Sequence, residues 1–211
     1  SLKANSMITN FSGVRVRYPK TKMVDETTIF MNLFNNLDDI STDDANLNDL
    51  INQGEFSKFI TYKFNEGKKP GLQKQKKNID EYCIREVGEY IEYVAGLWHN
   101  QSVGKAYSDT LYYNDLSRFG GGDVPDHKGH ELGTSIDFRP MTIDKEVRRV
   151  RVGDSHYDRE ATKKLIQLFI DSQTSFKGWD GNRIIKEIYF QDPELIQHFS
   201  SGDVKVKDVS G

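Results

Sequence analysis

His127, His130 and Asp137 lie within eleven residues of one another, in the run NDLSRFGGGDVPDHKGHELGTSIDFRP (114–140). Imidazole and carboxylate are the nitrogen and oxygen donors that a zinc ion takes, at about 2.0–2.2 Å, so two ligands of one ion stand about 3–4 Å apart. Seven residues of extended chain would hold His130 and Asp137 roughly 23 Å apart, and seven residues of helix roughly 10 Å apart. A shared ion therefore requires the chain to reverse between them. Gly133, in ELGTS, supplies the backbone freedom for that reversal. His127, three residues before His130, suits contact with a substrate or support of a metal-bound imidazole. On spacing alone, the same run also reads as an ordinary polar loop.

These side chains need elements to position them. After the reversal, TSIDFRPM (134–141) reads as a strand. Period two then puts Ile136 and Phe138 on one face and Ser135, Asp137 and Arg139 on the other. Asp137 would be anchored by apolar neighbours and would present its carboxylate to a polar face. Arg139 beside it could orient a substrate carboxylate or pair with an acid. The glycines and proline of GGGDVP suit backbone lying close to a ligand.

Elsewhere, TLYYNDLS (110–117), KEVRRVRVG (145–153) and RIIKEIYFQ (183–191) read as strands, with a short one at GVRVRY (13–18). Residues 77–99 place apolar and aromatic side chains at i, i+3, i+4 and i+7, the mark of an amphipathic helix with one face on a core. A helix over 159–171 follows Asp158 as its cap. Another starts at Asp192-Pro193-Glu194, with cap, first-turn proline and first-turn acid in order. Residues 28–37 and 41–53 read as short helices, and 55–64 as either helix or strand. The expected class is α+β: a mixed, mainly antiparallel sheet with helices packed on it, and a helical N-terminal half. Two segments are expected, an N-terminal extension or helical lobe (1–74) and a catalytic-type domain (75–211).

The chain has 211 residues, 12 Phe and 10 Tyr, enough large side chains for a core. No apolar run approaches the roughly 20 residues of a membrane span. A net charge of −3 argues against a general nucleic-acid footprint. The basic run GKKPGLQKQKK (67–77) reads as a solvated loop or as a contact for an anionic wall polymer. Cys83 is the only cysteine, which excludes an internal disulfide and a cysteine-based zinc site. The start SLKANS has no apolar signal core, so export would use another route or follow removal of a leader.

The run from Tyr113 to Pro140 resembles the signature of penicillin-insensitive murein endopeptidases. These belong to a fold group with lysostaphin, the D-alanyl-D-alanine metallopeptidases and the hedgehog signalling domain. The matching positions, in order, are Asp115, Ser117, Gly120, Gly121, His127, His130, Gly133 and Asp137. The resemblance covers about residues 77–200. It implies zinc as cofactor, His130 and Asp137 as its ligands and His127 as a catalytic residue lining the site; Asp115 and Ser117, as matched positions, and Arg139, from its place beside Asp137, are the expected substrate-binding residues. It implies hydrolysis of peptide cross-links in bacterial peptidoglycan, in the periplasm or outer cell wall, during wall remodelling, phage lysis or attack on rival cells.

The family takes its third ligand and a catalytic histidine from a His-x-His motif near the C-terminus. No His-x-His occurs in these 211 residues. The resemblance thus implies a segment after Gly211, or else a degenerate member without catalysis. His99 at a helix end, His156 in a turn and His198 on a helix read as ordinary surface or core-edge histidines. The alternative function is a non-catalytic peptidoglycan-binding or scaffolding module on the same fold. A histidine-metal nuclease, which DHKGHE loosely suggests, fits less well, because the characteristic Asn and His after a strand pair are lacking and the net charge is wrong for it.

Overall fold

The computed structural model describes residues 26–33, 59–75, 80–121, 133–177, 181 and 183–208. Its strands are β1 (Ile29–Leu33), β2 (Tyr62–Lys63), β3 (Leu72–Lys74), β4 (Tyr82–Cys83), β5 (Leu111–Tyr113), β6 (Ser135–Phe138), β7 (Ile185–Tyr189) and β8 (Val206–Lys207). Its helices are α1 (Arg85–Ser102), α2 (Arg159–Asp171) and α3 (Pro193–His198). Six strands form one sheet in the order β3-β5-β6-β1-β7-β8, and β2 pairs with β4 in a separate ribbon. The inner pairs are antiparallel, while the outer pairs β3–β5 and β7–β8 are parallel.

This corrects the α+β expectation. The fold is mixed α/β, with a mixed sheet and three α-helices among the described residues. Nor do the described residues of the first 74 contain an α-helix; the helix of the first half, α1, follows them. Residues 29–33, expected within a helix, are the strand between β6 and β7. All five are buried, because neighbours cover both faces. A strand buried on both faces loses the alternating pattern that would identify it, and IFMNL fits a helical stripe equally well. β1 and β3 both come from the first 74 residues, yet both belong to the same sheet as β5 to β8.

The helices follow local signals. Asp158 accepts a hydrogen bond from Ala161 N (3.0 Å) and caps α2. Asp192 does the same for α3, with Pro193 in the first turn. α1 begins later than its periodicity suggests, at Arg85, because Tyr82 and Cys83 pair with β2. Its stripe of Val87, Tyr90, Ile91, Val94 and Trp98 is fully buried. Phe138 of β6 stacks on Phe169 of α2 at 5.7 Å, so the β6 face carrying Ile136 and Phe138 is the core face. The stretch 145–153 is irregular, with a single bridge between Thr142 and Tyr157 outside it.

The core has a pH signature. Burial pushes the Tyr90 and Tyr113 hydroxyls above their ordinary value, and the tyrosines at 62 and 157 shift the same way, mainly through burial. A phenol whose folded pKa lies above its unfolded value, near 10, contributes stability that is complete below about pH 10. It loses that contribution as pH climbs toward the folded value, most for the deeply buried Tyr90 and least for Tyr62, whose hydroxyl is screened by solvent. The urea midpoint is therefore expected to fall steeply between about pH 10 and 12, and Tyr90→Phe to flatten the fall. A midpoint that stays level over that interval would contradict these burial-driven shifts.

Candidate functional site

The chain past β5 stays beside β6 and then swings away. Asn114 N donates to Asp137 O (2.9 Å), while Asp137 N donates to Asp115 O (3.1 Å). Two residues thus face one, a bulge that bends the departing strand and turns its side chains. Leu116 N then reaches Asp80 O (3.2 Å), and Ser117 exchanges two backbone bonds with Tyr82 of β4 (2.9 and 2.8 Å). Gly120 N bonds Ile60 O (2.8 Å), and Gly120 and Gly121 both have φ of 77°.

The return path lands beside the departure. Gly133 N donates to Ser117 Oγ (2.7 Å), and Gly133 O accepts from Ile84 N (3.0 Å). Gly133 has φ of 66°, the left-handed backbone expected of it, while the chain from His130 to Glu131 and Leu132 lies outside the described residues. Residues 117 and 133 therefore clasp the base of the intervening excursion against β4. His127 and His130 belong to that excursion and lie outside the described residues.

Asp137 is half-buried between the fully buried Ile136 and Phe138, but Ser135 and Arg139, expected on its open polar face, are buried as well because that face of the sheet is also covered. Asp115 is nearly buried, and Ser117 is completely so, its hydroxyl turned to Gly133 N. Arg139 is only 3% exposed. Its Nε donates to Gln75 Oε1 (2.7 Å), and its Nη1 to Thr27 O, Thr27 Oγ1 and Thr28 Oγ1 (3.1, 2.8 and 2.9 Å). It ties the approach to β1 onto the end of β6. Burial lowers its pKa, and the carboxylates of Asp137 and Asp115 oppose that shift.

Lys74 and Gln75 complete the surroundings and are missing from the sequence reading of the site. Lys74 Nζ donates to Asp80 O (3.1 Å) and to Asn114 O. Burial lowers its pKa, against the fields of Asp115, Glu81, Asp80 and Asp137. Gln75 Oε1 accepts from both Asn114 Nδ2 (3.0 Å) and Arg139 Nε. The only hint was the basic run 67–77, whose last members look like solvated charge until β3 is seen to pair with β5.

His156 and His198 are exposed, and His198 meets Phe199 edge-on at 4.7 Å. His99 Nδ1 stands 3.3 Å from Asp109 Oδ2 at the far end of α1. Among the described residues, no group of three or more His, Cys, Asp or Glu could hold a metal ion. What the described residues bring to the expected zinc set is one strand-borne, half-buried carboxylate, Asp137. It is an oxygen donor of the kind zinc takes, four residues from the clasped base of the histidine-bearing stretch, and the expected nitrogen donors lie outside the described residues. No helix among the described residues is long and apolar enough to cross a membrane. No protein-family model, curated protein or solved structure matches the chain.

Proposed function

We propose that this protein is a zinc-dependent peptidase that hydrolyses peptide cross-links of bacterial peptidoglycan, acting in the periplasm or outer cell wall. The observation that carries the reading is the 2.7 Å bond from Gly133 N to Ser117 Oγ. It gives physical purpose to two of the ordered motif positions, since it closes the stretch bearing His127 and His130 close in sequence to Asp137. His130 and Asp137 would hold the ion and His127 would line the site. When bound, zinc polarises a scissile carbonyl and activates water.

The chain's own residues supply the frame. The bulge at Asn114–Asp115 aims the strand away from β6 beside Asp137. Arg139 and Lys74 place positive charge next to Asp137 and Asp115, and so keep an acidic cluster tolerable at a partly buried position. Ser117 and Arg139, both buried, act as positioning residues in this reading: Ser117 fixes the loop, and Arg139 fixes the strand end.

The test uses full-length protein and purified peptidoglycan sacculi. Soluble fragments are expected to appear, to cease with a zinc chelator, and to resume when zinc is restored. Release that ignores chelation would remove the metal from the proposal. Sacculus binding without release, in zinc-loaded protein, would favour the non-catalytic binding module.

A further inference from the structure

Beside Lys74 and Tyr113 lies a cavity of about 370 Å³, within the range of small-ligand sites. Its polar wall includes Lys63, Lys68, Lys74, Glu66 and Glu81. Phe64, Leu72 and Tyr113 form its apolar side, with Phe64 and Tyr113 edge to face at 4.8 Å. Lys74 belongs to both places: it lines the cavity, and its ammonium feels Asp115 and Asp137.

The wall is held rigidly, at a conformational cost. Asn65 and Lys68 have φ of 55° and 48°, a left-handed backbone that lysine rarely adopts. Lys68 N bonds Asn65 O (3.0 Å), and Lys69 N bonds Asn65 Oδ1 (2.8 Å). The whole turn hangs on Glu92 of α1, which is 5% exposed. Glu92 accepts from Asn65 N (3.1 Å), Lys69 Nζ (3.1 Å) and the Tyr62 hydroxyl. A buried carboxylate is spent on fixing a strained surface turn, and the turn's product is a fixed display of Lys68 beside Lys63 and Lys74.

We propose that this cavity binds the zwitterionic end of a short peptide. Its carboxylate would meet the lysines, its ammonium would meet Glu66 and Glu81, and its methyl or methylene groups would lie on Phe64 and Leu72. Two glutamates among three lysines disfavour a polyphosphate-type chain and favour a ligand carrying both charges. The identity of the peptide as a peptidoglycan stem rests on the peptidase reading, and the cavity would then hold the part of the substrate that runs past Asp137.

The experiment is an amide chemical-shift titration of metal-free, full-length protein with the dipeptide alanyl-alanine. Its N-acetylated and carboxamide forms, and inorganic pyrophosphate, are titrated alongside. Saturable shifts are expected across 63–74 and at Glu81 and Tyr113, with affinity reduced about tenfold by blocking either charge. Lys68→Asn removes the cation and keeps a residue suited to the left-handed turn; it is expected to cost the same factor. Equal binding of the blocked dipeptides, an unchanged affinity in Lys68→Asn, shifts confined to other regions, or no saturation at millimolar dipeptide would each overturn the proposal. Tighter binding of pyrophosphate at the same residues would overturn it in favour of a phosphate ligand. Binding here is read without metal or hydrolysis. A protein that binds the dipeptide but leaves sacculi intact sinks only the peptidase reading, and one that cuts sacculi without these shifts sinks only the cavity.

Discussion

Asp137→Ala and His130→Ala are each expected to lower kcat/KM on purified peptidoglycan by at least about 10³-fold, on the order of 4 kcal/mol of transition-state stabilisation. A urea midpoint measured alongside separates this loss from unfolding, since the ladder bonds of Asp137 to Asn114 and Asp115 use only main-chain atoms and are kept. Asp137→Asn separates charge from shape. It keeps the volume and removes the anion, and it should be nearly as inactive if the carboxylate is a ligand. A second readout does not depend on turnover. Asp137 opposes the burial-driven fall of the Lys74 pKa, so the Lys74 ammonium in Asp137→Asn should titrate lower than in the parent protein, as seen by side-chain NMR. Turnover within tenfold of the parent would take Asp137 out of the reacting centre.

Gly133→Ala is expected to destabilise the protein by about 3 kcal/mol, read as a lower urea midpoint. Two effects act together. At φ of 66° any Cβ is strained, costing about 1–2 kcal/mol. The added carbon would also lie 2.8 Å from Ile60 Cγ2 and 3.1 Å from both Cys83 Cα and Ile84 N. A methyl can turn aside, but the last two atoms are backbone at the end of the β2–β4 ribbon. Relieving them means shifting the ribbon that anchors Ser117, Gly120 and Gly133 itself, a further cost of about 1–3 kcal/mol. Because the same ribbon holds the base of the histidine-bearing stretch, any peptidoglycan activity should fall with the midpoint. A midpoint equal to that of the parent protein would mean that the clasp is looser than its geometry.

Local signals were legible in the sequence, and pairings across the chain were not. α2 matches its expected range because Asp158 caps it from within the same few residues, and Asp192-Pro193 marks α3 in the same way. The strand at Asp137 was also legible, but not its surroundings: Ser135 and Arg139 are buried along with Ile136 and Phe138, so both faces are covered and Asp137 alone is partly open. β1 failed because burial on both faces erases that period. The stretch 145–153 failed in the opposite sense: it has a strand-like pattern, but only Val150 is buried and no neighbouring strand receives it. Arg139 was placed on the correct strand, but its partners Thr27 and Thr28 lie 112 and 111 residues away, beyond the reach of any spacing argument. The cavity beside Lys74 was hidden for the same reason, as its walls come from separated turns and strands.

The seat of β1 between β6 and β7 has a bearing on how the polypeptide is made. Asn32 bonds Ser135 and Glu187 across gaps of 103 and 155 residues. On the ribosome, the earliest of these strands must therefore wait unpaired until most of its successors have emerged. Closing such wide gaps slows the search for native pairing. Meanwhile IFMNL, apolar at four of its five positions, stays open to self-association. Newly made protein should thus lean on holding chaperones, and trimming the N-terminal stretch through Leu33 would split the sheet down its middle instead of shedding an appendage.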